Sequence, residues 1–200
     1  MKIDEEPSLD PFESVSDHRG LELVGNDFSD RTADSVKIVG SVFERVRMAR
    51  TSLRKLVLED VSFRGCDMAN GNWEESILAK VEMHECRMTG IGMVHAAFQD
   101  CTFVSCEAKM ANFRLATFKR TRFLRCSFRN ADFQRADLRG VVFDDCDLGS
   151  AQMSFAKLEG AVFCGSQIDG LQVGVDDLRG AVVDASQAAY LAGLMGLVIR

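Results

Sequence analysis

The sequence has no excess of positive charge, since 24 Lys and Arg stand against 30 Asp and Glu for a formal net charge of −6. That balance argues against direct nucleic-acid binding, which normally needs a basic surface. No stretch approaches the roughly 18 consecutive apolar residues that cross a membrane, the longest running from Ala188 to Ile199. Residues 1–20 contain only Lys2 and Arg19 as bases among six acids, so no cationic signal peptide is expected and a cytoplasmic setting is. There is no P-loop, no dinucleotide fingerprint and no zinc-type cysteine pairing. The cysteines number seven, an odd count that does not read as a disulfide framework. No catalytic constellation emerges, so an enzyme, a cofactor and a metal site are not expected.

What the sequence has is a period. From Leu23 to Val183 every fifth residue is apolar, through Phe28, Ala33, Ile38, Phe43 and onward without interruption. At 46% hydrophobic content, chance gives such a walk with odds on the order of 10⁻¹¹. Twelve of the 14 phenylalanines, the single tryptophan (Trp73) and six of nine methionines fall on it. Two residues before each such position the chain favours small side chains, as at Ser41, Thr51, Ala96, Ala111, Ala131 and Ala161. A helix needs apolar spacing of 3.6 and a half-exposed strand needs 2. Five fits neither. It suits short extended segments joined by tight corners, with the central residue and the small one before it both pointing inward.

Segments such as Ala131-Asp132-Phe133-Gln134-Arg135 and Ala136-Asp137-Leu138-Arg139-Gly140 carry this pattern in full. On these the chain resembles the pentapeptide-repeat family over residues 21–183. The resemblance implies an all-β fold, a right-handed quadrilateral β-helix with twenty residues per turn and a capping or dimerisation helix at the C-terminus. The expected organisation is an acidic, partly flexible segment at 1–20, a β-helix of about eight coils at 21–183, and a helix with a short strand at 184–200. Coils about 4.8 Å apart give a rod of roughly 40 Å.

Residues twenty apart then stack in columns. Cys66, Cys86, Cys106, Cys126 and Cys146 form one column at the small inward position, where free cysteine acts as a small apolar residue and a buried thiol is inert. Cys164 is expected outward. Asp27, Arg47, Asp67, Arg87 and Glu107 alternate in sign up one outward column, and Asp60, Lys80, Asp100 and Arg120 up another. Arg31 and Asp176 fall in the inward small slot, where an unpaired charge is costly, so distorted coils are expected at both ends. His84 and His95 face outward on different sides, and with His18 they form no ligand cluster. Residues 101–140 carry nine bases against three acids, whereas 141–200 carry three bases against eight.

The tail from Asp177-Leu178-Arg179-Gly180 through Gln187-Ala188 to Leu197-Val198-Ile199 resembles the closing segment of the Qnr-type quinolone-resistance proteins and their mycobacterial relative. That resemblance implies homodimers joined at their C-termini that bind DNA gyrase by imitating duplex DNA. The chain departs from it in two respects. Its register has no interruption, so protruding loops are absent, and its middle band is positive where a mimic is negative.

On the helix, Ala188, Leu191, Ala192 and Met195 share a face, with Gly196 as the stop. The expected dimer interface is Ala188, Leu191, Ala192, Leu194, Met195, Leu197 and Ile199. The leading expectation is a non-enzymatic rod that binds a type II DNA topoisomerase in a quinolone-resistance or toxin-immunity role, through Asp144, Asp145, Asp147, Asp169 and Asp177. The alternative is a scaffold for an unrelated protein, using a patch of Met110, Leu115, Leu124 and Phe155.

Overall fold

The computed structural model describes residues 10–194 and 196–198. Parallel strands of three to eight residues pair at an offset of twenty, as in Asp17↔Lys37, Val57↔Ile77 and Arg122↔Val142. Strands run from Asp17–Arg19 to Val142–Asp144 over about six turns of a β-solenoid, followed by one C-terminal helix. Single bridges carry the same offset on to Val162↔Val182. Four five-residue sides make each turn. In one middle turn they are centred on Phe118, Phe123, Phe128 and Phe133, and are called sides A to D in that order.

The period of five has a backbone cause. Every fifth residue from Val15 to Gly170 has a positive φ, between 50° at Arg120 and 79° at Gly165. These are the corners. A non-glycine residue there costs about 1–2 kcal/mol, offset by a bond to the next turn. Arg50 N–H donates to Ala69 O at 2.9 Å and Lys55 N–H to Glu74 O at 2.9 Å. At many corners the small residue also closes a turn, as where Ala111 N–H donates to Ala108 O at 3.2 Å. This geometry puts φ above zero at the third turn residue, which asparagine and glycine tolerate best.

Between corners the central residue is sealed. All central positions from Leu23 to Ile168 are buried, and only the last three, Val173, Leu178 and Val183, are partly so. Rings twenty apart stack, with Phe98 and Phe118 at 4.5 Å and Phe143 and Phe163 at 5.3 Å. The small partner shrinks where the central residue is largest. A Cβ on Gly71 would lie 3.1 Å from Met68 O and 3.2 Å from the Trp73 indole nitrogen, so the indole would have to shift slightly for any larger residue there. The Trp73 Nε1–H donates to Thr51 Oγ1 at 3.0 Å, which satisfies the one polar atom of this side chain.

The solenoid starts earlier than residue 21. Asp17–Arg19 already pairs with the next turn, and Phe12 is buried edge-on against Phe28 at 5.3 Å. This ring covers the open N-terminal end. Arg31, expected inward, is exposed and forms an ion pair with Asp10 at 2.8 Å, because a guanidinium loses less by facing water than by entering the core. At the other end the regular coil stops where expected, in the 3₁₀ turn Asp176–Leu178, with Asp176 exposed.

The helix spans Ala185–Leu194. Asp184 and Gln187 bond reciprocally at its start: Gln187 N–H donates to Asp184 Oδ1 and Asp184 N–H to Gln187 Oε1, each at 3.0 Å. The buried Gln187 amide also donates to Ser166 O at 2.7 Å and to Phe163 O at 2.6 Å, which already accepts from Ser166 N–H, so it plugs the end of the last coil. Gly196, at φ 80°, ends the helix, with its N–H on Gly193 O and Leu197 N–H on Ala192 O. Leu197 and Val198 form no strand, contrary to expectation, because this cap turns them away from any strand edge; Ile199 lies outside the described residues. Among the described residues no helix is long and apolar enough to cross a membrane.

Candidate protein-docking surface

With the interior filled by side chains, function has to reside on the outside of the rod. Among the described residues no group of three His, Cys, Asp or Glu side chains is arranged to hold a metal ion. The five-cysteine column lies wholly within the core and all seven cysteines are free thiols. Each thiol of the column donates to a backbone carbonyl, as Cys66 to Phe43 O at 3.4 Å and Cys126 to Phe103 O at 3.5 Å. Hydrogen bonds to Cys106 and Cys66, then burial, push the Cys86 thiol up; Cys106 and Cys146, then burial, do the same to Cys126. Cys101, on another side, is pushed up to about 11 by burial. The same cysteine–cysteine hydrogen bonds lower Cys66, Cys106 and Cys146, so the upward push holds for Cys86, Cys101 and Cys126, and all six thiols pack in the core.

The N-terminal half of the surface is acidic, with 12 bases against 19 acids over residues 1–100, but several of its columns carry ion pairs. Arg47 pairs with Asp27 at 2.8 Å and Arg87 with Asp67 at 3.2 Å up the column expected to alternate. Arg50 grips Asp30 with two bonds of 2.7 Å, and its bonding holds that carboxyl below the usual range. Arg120 likewise pairs with Asp100 and lowers it. His84 lies 3.5 Å from Glu82. Each exposed pair contributes about 0–1 kcal/mol, so their main effect is to neutralise the acids they touch.

The C-terminal coils differ. Asp144 ends side B, Asp145 is the next corner at φ 52°, and both are exposed with no ion pair among the described residues. Asp147 follows on side C, less exposed, with both oxygens 3.3 Å from Arg129 Nη1. Asp169 is exposed on side C one turn further on, also unpaired among the described residues. Three of the five expected partner-binding acids therefore gather about the corner between sides B and C, whereas Asp169 lies at the far end of side C, next to the Gly170 corner. Asp177 does not join them. Its Oδ2 accepts from Phe155 N–H at 2.8 Å and Gly174 N–H at 3.1 Å, so it replaces a backbone carbonyl where the chain leaves the coil.

The apolar patch expected from Met110, Leu115, Leu124 and Phe155 is not one surface. Met110 stands at the corner between sides C and D, Leu124 on side B, and Leu115 and Phe155 in one column at the corner between D and A. Nine residues separate Leu115 from Leu124, close to half a turn, which puts them on nearly opposite flanks. Met110, Leu115 and Phe155 are 60%, 37% and 70% exposed, while Leu124 is half-buried.

The expected dimer residues divide as well. Leu191 is buried against the last coil, Ala192 is half-buried, and Ala188, Leu194 and Leu197 are exposed, with Val198 beside them. Met195 lies outside the described residues. The inward face of the helix is thus set by Gln187 and Leu191 rather than by Ala188 and Leu191. The sequence showed the amphipathic spacing but hid the buried glutamine, whose signal was the Asp-x-x-Gln spacing of a reciprocal cap.

A family model described as a pentapeptide repeat region matches residues 56–117, 81–153 and 96–173. Among curated proteins none matches the sequence. Among solved structures, QnrB1, a plasmid-mediated fluoroquinolone resistance protein, is 18% identical with a TM-score of 0.44, covering 92% of this chain and 99% of its own. HetL, a pentapeptide repeat protein involved in heterocyst differentiation regulation in Nostoc sp., is 16% identical with a TM-score of 0.34, covering 86% and 89%. A pentapeptide repeat protein of the Arabidopsis thaliana thylakoid lumen is 16% identical with a TM-score of 0.26, covering 87% and 76%.

Proposed function

This chain belongs to the pentapeptide-repeat family, and we propose that it is a non-enzymatic rod that docks on a protein through the acidic coils beside its C-terminal helix. The observation that carries this reading is the corner formed by Asp144, Asp145 and Asp147, the first two without an ion pair among the described residues. Fixed, unneutralised carboxylates on a rigid surface suit a positively charged cleft in a partner.

The named candidate is a type II DNA topoisomerase, DNA gyrase, in a quinolone-resistance or toxin-immunity role in the cytoplasm. The rod would compete with DNA for a positive saddle. Duplex DNA presents one charge per about 1.7 Å of axis, whereas one corner column offers at most one per about 4.8 Å. Imitation would rest on the shape of the rod more than on its charge density. In this reading two copies join end to end, with Ala188, Leu194, Leu197 and Val198 in contact across a two-fold axis.

A supercoiling assay with intact gyrase tests the partner. The wild-type chain inhibits, and Asp144→Lys combined with Asp145→Lys inhibits much less. Equal inhibition by both would remove the acidic corner from the account.

A further inference from the structure

Of the 14 phenylalanines, Phe155 alone faces water. Twelve are central core residues and Phe12 covers the first coil, whereas Phe155 occupies a corner, 70% exposed. Its φ is 62°, a conformation that disfavours a bulky side chain and favours glycine or asparagine, as at Asn70 and Asn130. The residue is thus ill suited both to its backbone and to solvent, a combination that marks positions kept for contact rather than stability.

Its surroundings hold it in place. The Phe155 N–H is fixed by Asp177 Oδ2 at 2.8 Å. The Arg135 guanidinium, one turn below in the same column, lies 5.8 Å from the ring centre. Arg135 has no ion pair among the described residues. Leu115 lies one turn further down, whereas Val175, 55% exposed, has left the corner conformation at the start of the 3₁₀ turn. Leu115, Arg135 and Phe155 make a ridge about 10 Å long at the spacing of paired strands. It runs along the corner between sides D and A, diagonally opposite Asp145.

We propose that the Leu115–Arg135–Phe155 ridge is a second docking surface, for a protein segment that sets a carboxylate beside an apolar side chain. Phenylalanine and arginine presented together, already in contact, give a rigid aromatic anchor next to a free cation. The partner's sign follows from complementarity, because the cation on the ridge, Arg135 against the Phe155 ring, has no carboxylate of this chain paired with it among the described residues. The surface is independent of the acidic corner, and a partner there leaves this ridge open to another.

Peptides selected from a random display library against the intact protein are the probe. The recovered sequences should pair Asp or Glu with an apolar residue. Their binding should weaken at least about tenfold on Phe155→Asn and on Arg135→Glu. Replacing the peptide's acid with Lys should restore binding to the Arg135→Glu protein. Phe155→Asn should meanwhile melt higher than wild type, which separates lost contact from lost folding. No recovered binder, basic or uncharged binders, or binders that respond to Asp144→Lys instead would overturn the proposal. So would self-association lost on Phe155→Asn, or duplex DNA binding lost on Arg135→Glu.

Discussion

The rings of Phe123 and Phe143, twenty residues apart in sequence, stack at 5.2 Å with 17° between their planes. Each is at most 1% exposed, and Phe128 meets the Phe123 ring edge-on at 4.9 Å. Removing one ring should cost about 3–5 kcal/mol, so Phe123→Ala is strongly destabilised. Phe123→Asp, which buries an unpaired carboxylate, should not fold. Arg122→Ala, exposed on the same strand, should change stability by less than about 0.5 kcal/mol. Denaturant melts of the three variants check the inward register, and equal midpoints would refute it.

The cap predicts a pH dependence. Ser186, then the Gln187 and Gly165 amides, hold the Asp184 carboxyl down at about 2, against an ordinary value of 3.8. A depressed acid stabilises the fold above its unfolded value and loses that contribution as pH falls toward the folded one. The helical signal should therefore hold at neutral pH and fade between about pH 4 and pH 2. Asp184→Asn keeps a capping oxygen and should flatten that part of the acid profile. Circular dichroism of both proteins measures it, and identical acid profiles would show that the cap does not titrate with the helix.

Thiol chemistry separates the column from the surface. Cys164 is half-buried on the outer face of side B, while the other six cysteines are buried. A maleimide should modify Cys164 quickly in the native state and the remaining six only after denaturation. Mass spectrometry counts the labels, and three or more fast ones would mean that the coils open readily.

Assembly rests on the residues that the cap leaves outside. Leu194 and Leu197 are 55% and 58% exposed, so Leu194→Glu with Leu197→Glu should yield a monomer with an unchanged β signal. Leu191→Glu is a different experiment, since it would lift the helix off the last coil. Light scattering at tens of micromolar should find the wild type as a dimer. A monomeric wild type would remove the end-to-end pairing.

The fold was legible because one rule, an apolar residue every fifth position, is imposed by a corner that recurs every fifth residue. The ends were less so. Phe12 sits off the register by one residue and Arg31 on it by rule, yet Phe12 is buried and Arg31 is out, because the terminal coil has an open side on which these choices are made. Gln187 looked polar and turned out to be the plug of the last coil. Among the candidate site residues, spacing by five and twenty brings Asp144, Asp145 and Asp147 to one corner and separates Leu115 from Leu124. Asp177 was lost to the reading for another reason: its carboxylate stands in for a backbone carbonyl, a substitution visible only once the coil has ended.

The central claim is that the acidic corner competes with DNA for a topoisomerase, and displacement of fluorescent duplex DNA from intact gyrase tests it most directly. Followed by anisotropy, the wild-type rod should release the duplex, and the Asp144→Lys, Asp145→Lys, Asp169→Lys variant should need at least about tenfold more protein to do so. No release by the wild type at tens of micromolar, or equal release by both proteins, would contradict the account.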